Sequence, residues 1–251
     1  MNSYQREVLI AQFGSRLCFH EELGSTNDEA LQLARRGCED GTIVLAERQT
    51  AGRGRRGTEW FSGEGNSIAF SLILRPELNP ALWSRLSLVA GLAVARILER
   101  RQIAAEIKWP NDVLVQGKKI CGILVEAEKD AVVFGIGLNT GQTDFPAALS
   151  QTATSIHALV GGAVNREEIL GELVAELNQL VGKVQGSFSE LLIMIRERCY
   201  LTGQRIDYLA GDTPREGVCE GIGEGGELLV RDEEQGVIQR VIAAEIIRVR
   251  S

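Results

Sequence analysis

Apolar residues recur along the chain with two different periods, and these periods separate helices from strands. Ile169, Leu170, Leu173 and Leu177 recur at helical spacing behind a capping box, which predicts an amphipathic helix; Thr26 is expected to cap an earlier one. Shorter apolar segments end at turn residues, which is typical of strands. The pattern predicts helices at about 26–36, 83–101, 165–181 and 188–199, and strands at 17–20, 43–47, 67–74, 105–109, 113–115, 119–126 and 132–138.

Helices alternating with closely spaced strands indicate an α+β fold with a mixed β-sheet in the first part of the chain. From Gly203 onward the pattern changes to short strands divided by glycine-containing turns such as residues 223–226. This change predicts a small C-terminal β-barrel. The predicted strands there are 204–209, 214–222, 226–231, 236–242 and 245–249, and the predicted domains are residues 1–202 and 203–251.

The composition of the 251-residue chain is that of a globular protein, with 44% hydrophobic residues. Its net charge of −7 argues against a general nucleic-acid binder, which needs a basic face to neutralise phosphates. The N-terminus resembles no export signal, and the apolar run 86–95 is too short to span a bilayer. We therefore expect a cytoplasmic protein without a membrane partner.

The side chains that are scarce in this sequence narrow its chemistry. The five cysteines are scattered and never form a C-x-x-C pair, so neither a disulfide framework nor a zinc site is indicated, and we expect reduced thiols. With only two histidines and no G-x-S-x-G motif, a histidine-dependent nucleophilic triad is not indicated either. Chemistry is expected from lysine, arginine and aspartate side chains together with a bound cofactor.

A loop rich in glycine and arginine follows the second predicted strand, with the sequence Gln49-Thr50-Ala51-Gly52-Arg53-Gly54-Arg55-Arg56-Gly57. Glycines let a backbone approach an anion closely, and guanidinium groups bind phosphate or carboxylate in pairs of hydrogen bonds. The loop also fits G-x-G-x-x-G, but that dinucleotide motif must open a helix, and residues 58–66 predict no helix. An anion-binding loop is favoured over a dinucleotide motif and over a solvated surface loop.

A second candidate segment, Lys108-Trp109-Pro110-Asn111-Asp112, connects two predicted strands. Pro110 and Asn111 suit a tight turn, so a purely structural connection would explain them. It would not explain why Lys108 and Lys119 bracket Asp112 in an apolar neighbourhood, where an unpaired charge is expensive.

Taken in order, these motifs resemble the signature of biotin–protein ligases, from about residue 20 to the C-terminus. The resemblance implies a mixed-sheet catalytic domain of the biotin/lipoate ligase type with a small C-terminal SH3-like β-barrel. The matching segments are Ser25-Thr26-Asn27, Gln49, Gly52-Arg53-Gly54-Arg55-Arg56-Gly57, Trp60-Phe61-Ser62, Lys108-Trp109-Pro110-Asn111-Asp112, Lys119, Gly122-Ile123-Leu124-Val125-Glu126 and Gly135-Ile136-Gly137-Leu138-Asn139.

The resemblance implies an enzyme that activates biotin with ATP to biotinyl-5′-AMP. The enzyme would then transfer biotin to one lysine of a biotin carboxyl carrier protein, as in acetyl-CoA carboxylase. ATP would be a co-substrate and Mg²⁺ would enter with it, without a metal site made by protein alone. Relatives that also repress transcription carry a DNA-binding domain before the Ser-Thr-Asn segment; only 24 residues precede Ser25 here, so we expect a monofunctional ligase without a DNA partner. A homodimer is left open, because relatives occur as monomers and as dimers.

The resemblance also carries roles to individual residues. Lys119 would contact the biotin carboxylate and the α-phosphate, Asp112 would orient or deprotonate the carrier lysine, and Trp60 and Trp109 would form walls. The implied biotin-binding residues are Ser25, Thr26, Asn27, Gln49, Arg53, Gly54, Arg55, Lys119 and Gly137. The implied nucleotide-binding residues are Arg53, Arg55, Arg56, Trp60, Lys108, Asn111, Lys119 and Asn139. The implied catalytic residues are Lys119, Arg55 and Asp112.

Three alternatives stay open at the level of sequence. A lipoate ligase would have a similar core and the same adenylation chemistry. A non-enzymatic sensor of biotin or nucleotide would bind without releasing pyrophosphate, and a nucleic-acid module could use the arginine loop. The aromatic residue that stacks on adenine in some relatives cannot be placed, since residues 152–159 contain no tryptophan.

Overall fold

The computed structural model describes residues 4–61, 65–211, 213–232 and 236–250 of the chain. Its helices are α1 (Arg6–Phe13), α2 (Thr26–Arg35), α3 (Leu86–Glu99), α4 (Ile156–Val160) and α5 (Arg166–Glu197), with short 3₁₀ turns at Gly14–Arg16, Arg55–Gly57 and Pro80–Arg85. Its strands are β1 (Leu17–Leu23), β2 (Thr42–Gln49), β3 (Ser67–Leu74), β4 (Glu106–Lys108), β5 (Asp112–Val115), β6 (Lys118–Glu128), β7 (Ala131–Asn139), β8 (Arg205–Ala210), β9 (Thr213–Ile222), β10 (Leu228–Arg231), β11 (Ile238–Val241) and β12 (Glu245–Arg250).

A seven-stranded sheet forms the body, in the order β1-β2-β3-β7-β6-β5-β4. β1 and β2 pair in parallel and the other neighbours are antiparallel, which confirms the predicted mixed sheet. Every residue of β3 and β7 is buried, because helices cover both faces of the centre of the sheet. α2 packs on one face through Ala30 and Ala34, and α3 and α5 cover the other. The N-terminal end of α2 therefore lies over the sheet, close to the start of the arginine loop.

The most apolar helix belongs to this core. By length and composition alone the segment Pro80–Glu99 could cross a membrane. In the fold, Leu86, Val89, Leu92 and Ile97 of α3 are fully buried between the sheet and α5. Burial inside the protein therefore accounts for the apolar sequence of this helix.

The C-terminal strands form a second, antiparallel sheet in the order β11-β10-β9-β8-β12. Among residues 203–211, 213–232 and 236–250, no pairing joins the two edge strands β11 and β12, so the closed barrel that we predicted is not confirmed. Ile206, Tyr208, Cys219 and Leu228 of this sheet belong to the same hydrophobic cluster as the body. The two sheets are thus packed around a continuous core.

Several elements differ from the prediction, among them the short helix α4, which was not predicted. The helix α1 was not predicted, because only Leu9 and Phe13 of its eight residues are buried and the apolar pattern is short. The two predicted helices after Asn165 are one hydrogen-bonded element, α5, with a kink at Ser187 where φ is −135° and ψ is 30°. The N-cap of α2 is Ser25, whose hydroxyl accepts a hydrogen bond from the amide of Asp28; the predicted cap, Thr26, is instead the first helical residue.

Candidate functional site

The first part of the site is a set of neutral polar side chains at the start of α2. The amide of Thr26 donates to Gln49 Oε1 at 2.8 Å, and Thr26 Oγ1 lies 3.1 Å from the same oxygen. Behind them, Ser71 Oγ lies 2.9 Å from Thr26 Oγ1 and 2.6 Å from Asn27 Oδ1. We call Thr26, Asn27, Gln49 and Ser71 the floor. Because Thr26, Asn27 and Ser71 are buried, the floor is a fixed donor–acceptor edge.

Asn27 is held to the sheet from the other side as well. Its amide nitrogen donates to Leu124 O at 3.3 Å and to Glu126 Oε2 at 2.8 Å. A Cβ atom added at Gly135 would lie 2.1 Å from Asn27 Oδ1, so the close approach of α2 to the sheet requires glycine there.

The arginine loop, residues 52–60, crosses above the floor, and we call it the flap. Its first arginine is held by two carboxylates: Arg53 Nη2 lies 2.5 Å from Asp28 Oδ1 and 3.0 Å from Glu126 Oε2. The hydrogen bond to Asp28 is the main reason that the pKa of Arg53 is raised above its ordinary value. This end of the flap is therefore tied to α2 and β6.

The tip of the flap is held more loosely. Arg55 Nη1 lies 3.5 Å from Asn111 Oδ1, and Arg56 Nη1 lies 3.1 Å from Glu245 Oε2 on β12. Burial and the neighbouring Arg56 lower the pKa of Arg55, while Asp112 and Glu245 oppose that shift. An incoming anion would meet two guanidinium groups on this segment.

The flap ends at Trp60, whose indole lies on the sheet inside the pocket. A Cβ atom at Gly137 would be 2.2 Å from Trp60 Cε2, and one at Gly122 would be 3.0 Å from Trp60 Cζ3. The indole N–H is buried and has no hydrogen-bond partner among the described residues. Ser62, the last residue of the predicted Trp-Phe-Ser motif, lies outside the described residues.

Opposite the flap, β5 and β6 bring together an ammonium group and a carboxylate. Lys119 Nζ lies 2.7 Å from Asp112 Oδ1 and 5.6 Å from the centroid of the Trp60 ring. Asn111 donates to Ile123 O at 2.8 Å and so ties the preceding turn to β6. The adjacent Trp109 is buried, and its indole donates to Gly226 O at 3.0 Å, which links the turn to the C-terminal sheet.

These groups line one cavity of about 310 Å³, a size suited to a small molecule. Nearly all of the residues singled out from the sequence meet there, although they are far apart along the chain. The predicted residues that line the cavity are Ser25, Thr26, Asn27, Gln49, Arg53, Gly54, Arg55, Arg56, Trp60, Lys108, Asn111, Asp112, Lys119 and Gly137.

Asn139 is the predicted site residue that lies elsewhere. It borders a neighbouring cavity, which shares Lys108, Asp112 and Lys119 with the first and also has apolar walls. Its amide nitrogen donates to Thr154 O at 3.0 Å, and its oxygen lies 3.4 Å from Gln142 Nε2. Both ends of this buried amide are thus occupied within the protein, and its contact with a nucleotide stays a prediction.

Several residues that support the site received no role from the sequence. Ser71 lies in an apolar strand, where a serine has no distinctive pattern, and Glu126 and Glu245 reach the flap only through tertiary contacts. The aromatic and aliphatic walls of the second cavity also come from loops without a motif. These walls are Phe145, Leu149 and Tyr200.

Of the five cysteines, the buried Cys121 lies next to the Lys119–Asp112 pair; burial raises the pKa of its thiol, and Coulombic interactions with both of these groups also act on it. All five cysteines are free, as predicted. Cys199 and Cys219 contact each other where α5 meets the C-terminal sheet, and a hydrogen bond from Cys219 lowers the pKa of Cys199 to about 6.

Comparison with sequences of known function gives relatives that agree with one another in their named activity. Residues 21–142 match the Biotin/lipoate A/B protein ligase family. The chain is 34% identical over 236 residues to a biotin–[acetyl-CoA-carboxylase] ligase of Mycobacterium tuberculosis, a match that covers 91% of this chain and 87% of that protein. It is 42% identical over 169 residues to the bifunctional ligase/repressor BirA of Bacillus subtilis, covering 64% of this chain and 52% of BirA, so it spans about half the length of that relative.

Solved structures agree with the sequence relatives. A biotin protein ligase from Aquifex aeolicus in complex with biotin and ATP has a TM-score of 0.82 at 33% identity, covering 94% of this chain and 99% of that one. Because similarity extends over nearly the whole of both chains in sequence and in fold, the chain belongs to the biotin/lipoate A/B protein ligase family.

Proposed function

We propose that this chain is a biotin–protein ligase, which activates biotin with ATP to biotinyl-5′-AMP and transfers biotin to a lysine of a carrier domain. One observation carries the proposal: a single cavity has a neutral donor–acceptor edge at the buried Thr26 and the half-buried Gln49, and a cluster of cations at Lys119, Arg55 and Arg56. A neutral ureido ring suits the first end, and an anionic chain or phosphate suits the second. The family, and the biotin and ATP in the Aquifex aeolicus structure, support the same ligands.

The first step joins two anions, and the cations of the pocket address that difficulty. A biotin carboxylate must attack the α-phosphate of ATP, forming a carboxyl–phosphate bond as pyrophosphate leaves. At ~4 Å and an effective dielectric constant of ~20, each opposite charge pair contributes about 4 kcal/mol. Lys119 is held beside the pocket by Asp112, and the flap can bring Arg55 towards the same oxygens. We assign Lys119 and Arg55 to this step.

The bound ligands would also supply a hydrogen-bond acceptor that the described residues do not provide. The buried indole N–H of Trp60 has no acceptor among the described residues, so a ligand oxygen beside the flap would satisfy it. For the nucleotide we propose the second cavity, where Phe145 and Tyr200 offer apolar surface to adenine next to Lys108.

Mg²⁺ is assigned to the nucleotide rather than to a protein cage. The described residues contain no group of three histidine, cysteine, aspartate or glutamate side chains converging as metal ligands. Mg²⁺ usually keeps several waters and binds through phosphates with one or two carboxylates. The ion would neutralise phosphate charge.

In the second step the carrier lysine attacks the acyl carbon, forming an amide as AMP leaves. With a reference pKa of about 10.4, only about one lysine in a few thousand is neutral at pH 7. A carboxylate beside the acyl carbon can orient the ammonium group and accept its proton, and we assign this role to Asp112.

The remaining assignments concern partners and organisation. We propose a biotin carboxyl carrier domain of acetyl-CoA carboxylase as the acceptor, as the name of the Mycobacterium tuberculosis relative suggests. A cytoplasmic location, the lack of DNA and membrane partners and a possible homodimer are retained as proposals. So are the domain boundary between residues 202 and 203 and an SH3-like character of the C-terminal sheet.

The test is ATP–pyrophosphate exchange with biotin, run beside the same assay with lipoate. We expect exchange that depends on biotin, and labelled biotin on a carrier domain when one is added. Preferential exchange with lipoate would favour a lipoate ligase. Biotin binding without exchange would overturn the enzymatic proposal and favour a sensor.

A further inference from the structure

The start of the flap, at Arg53, and its tip, at Arg55 and Arg56, are held by different contacts. Arg53 bonds to Asp28 and to Glu126, and the latter carboxylate is itself bonded by Asn27. The tip has a contact of 3.5 Å from Arg55 to Asn111 and the ion pair between Arg56 and Glu245. Movement of the flap would therefore pivot at Arg53 and be controlled at the tip.

The backbone conformation at the tip is unfavourable by itself and needs a stabilising contact. Arg56 has φ 53° and ψ 30°, in the left-handed region that residues other than glycine rarely adopt. The next residue, Gly57, has φ 75°, where the absence of a side chain permits the turn. In this turn the Arg56 side chain points to Glu245. The rare backbone conformation therefore allows the ion pair to form, and the ion pair in turn stabilises that conformation.

The backbone of Glu245 is fixed to the C-terminal sheet. It begins β12, where it pairs with Leu209 of β8, and its neighbours Ala244 and Ile246 line the same pocket. The C-terminal sheet is joined to the body by the bond from Trp109 to Gly226 and by their shared core. A carboxylate fixed in this way can hold a movable loop against the body.

We propose that Glu245 is a positioning residue, which holds the flap over the pocket through Arg56 and thereby slows the escape of the acyl-adenylate. The statement about the adenylate rests on the proposed function. Glu245 would not touch the reacting atoms, so its loss should leave the chemical step intact while the closed flap becomes less populated.

The first test needs no ligand and uses trypsin, because the bonds after Arg55 and Arg56 are its natural targets. The variant Glu245→Gln keeps the shape of the side chain and removes its charge. The matched control is Glu220→Gln, since Glu220 forms an exposed ion pair with Arg231 at 2.7 Å on the same sheet and lines no described pocket. Exposed ion pairs shift equilibria by at most about fivefold, so we expect cleavage of the flap about two to five times faster in Glu245→Gln only.

The second test follows the adenylate. Each protein is loaded with biotin and radiolabelled ATP, separated from free nucleotide, and chased with unlabelled substrates. We expect release about two to five times faster in Glu245→Gln, with an unchanged maximal rate of pyrophosphate exchange. High salt should reduce the difference in release between Glu245→Gln and the parent protein, because it screens the Arg56–Glu245 pair that only the parent protein and Glu220→Gln retain.

The outcomes separate this inference from the proposed function. If the parent protein forms no adenylate, the proposed function fails while the trypsin result still measures the contact. If it forms adenylate, equal flap cleavage or equal release in Glu245→Gln and the parent protein overturns the role of Glu245. A fall in the maximal exchange rate would also overturn it, because that result would place Glu245 in the chemical step.

Discussion

The floor and the flap form opposite sides of one pocket, and they are built on different principles. The floor consists of neutral side chains, and Thr26 and Ser71 are 4% and 0% exposed. The flap presents guanidinium groups, and the Arg56–Glu245 pair at its tip is 41% and 52% exposed. Breaking a buried hydrogen bond costs about 1–3 kcal/mol, whereas an exposed ion pair contributes about 0–1 kcal/mol.

The difference separates recognition from charge handling. Groups that must match an uncharged ring are locked, because any rearrangement would leave buried donors or acceptors without partners. The guanidinium groups of the flap, which must bind successive anions, lie where an exposed ion pair costs little free energy to break. Lys119 lies between these extremes, as a charged group fixed on a strand and paired with Asp112.

Removing the cation that is fixed on the sheet should have a larger effect than removing a cation on the flap. Lys119→Ala removes the cation fixed on the sheet and leaves Asp112 without its partner, so pyrophosphate exchange should fall about 100-fold or more. The exposed neighbour provides a control, since Lys118→Ala should change little. Arg56→Ala, on the flap, should reduce exchange less than Lys119→Ala does. Exchange at the parental rate in Lys119→Ala would refute its role.

A second variant separates the two half-reactions. Asp112→Asn keeps the size of the side chain and removes the charge that accepts a proton, so transfer to the carrier should slow at least about 10-fold. Adenylate formation should be largely retained, because Lys119 remains. Single-turnover assays of each half-reaction make the comparison. An equal decrease in both would show that Asp112 acts only by holding Lys119.

Two glycine substitutions test whether the floor is rigid and the flap movable. In Gly135→Ala the new methyl meets Asn27, which is fixed on three sides, so the free energy of unfolding should fall by about 1–3 kcal/mol. In Gly137→Ala it meets Trp60, which can move with the flap, so stability should be less affected while biotin binds more weakly. Urea unfolding and biotin titration measure both. Equal loss of stability would remove the distinction.

The smallest predicted effect concerns the hidden part of the floor. Ser71→Ala removes a buried hydroxyl beside Thr26 and Asn27, which contributes about 1 kcal/mol, so the KM for biotin should rise several-fold with kcat unchanged. Ser67→Ala, which removes a buried hydroxyl at the start of the same strand, should leave the biotin KM as it was. Steady-state exchange kinetics at varied biotin concentrations provide the measurement.

The sequence predicted those parts of the molecule in which local pattern and tertiary structure agree. The mixed sheet was recovered because strands such as β3 and β7 are buried throughout and largely apolar in sequence. α5 was split in two at Ser187 because a kink interrupts the apolar period without ending the hydrogen-bonded helix. The closed C-terminal barrel was inferred from a run of short strands with glycine-containing turns and from the family resemblance, and a strand pattern does not determine which edges pair.

The same limit applies to the site. The arginine loop and the Lys-Trp-Pro-Asn-Asp segment carry unusual residues together, so their meeting in one pocket could be anticipated. Family membership, inferred from their order, is confirmed. Glu126 was part of a matching segment but received no role, and Glu245 was missed, because only folding brings each carboxylate beside an arginine.

The indole of Trp109, bonded to Gly226, has a consequence for how the chain denatures. Because of this bond and the apolar residues shared by both sheets, the C-terminal strands cannot separate from the seven-stranded sheet without breaking the common core. Loss of either part would expose interior surface of the other, so melting is expected as one cooperative transition in calorimetry. We therefore expect the last strands to melt together with the seven-stranded sheet.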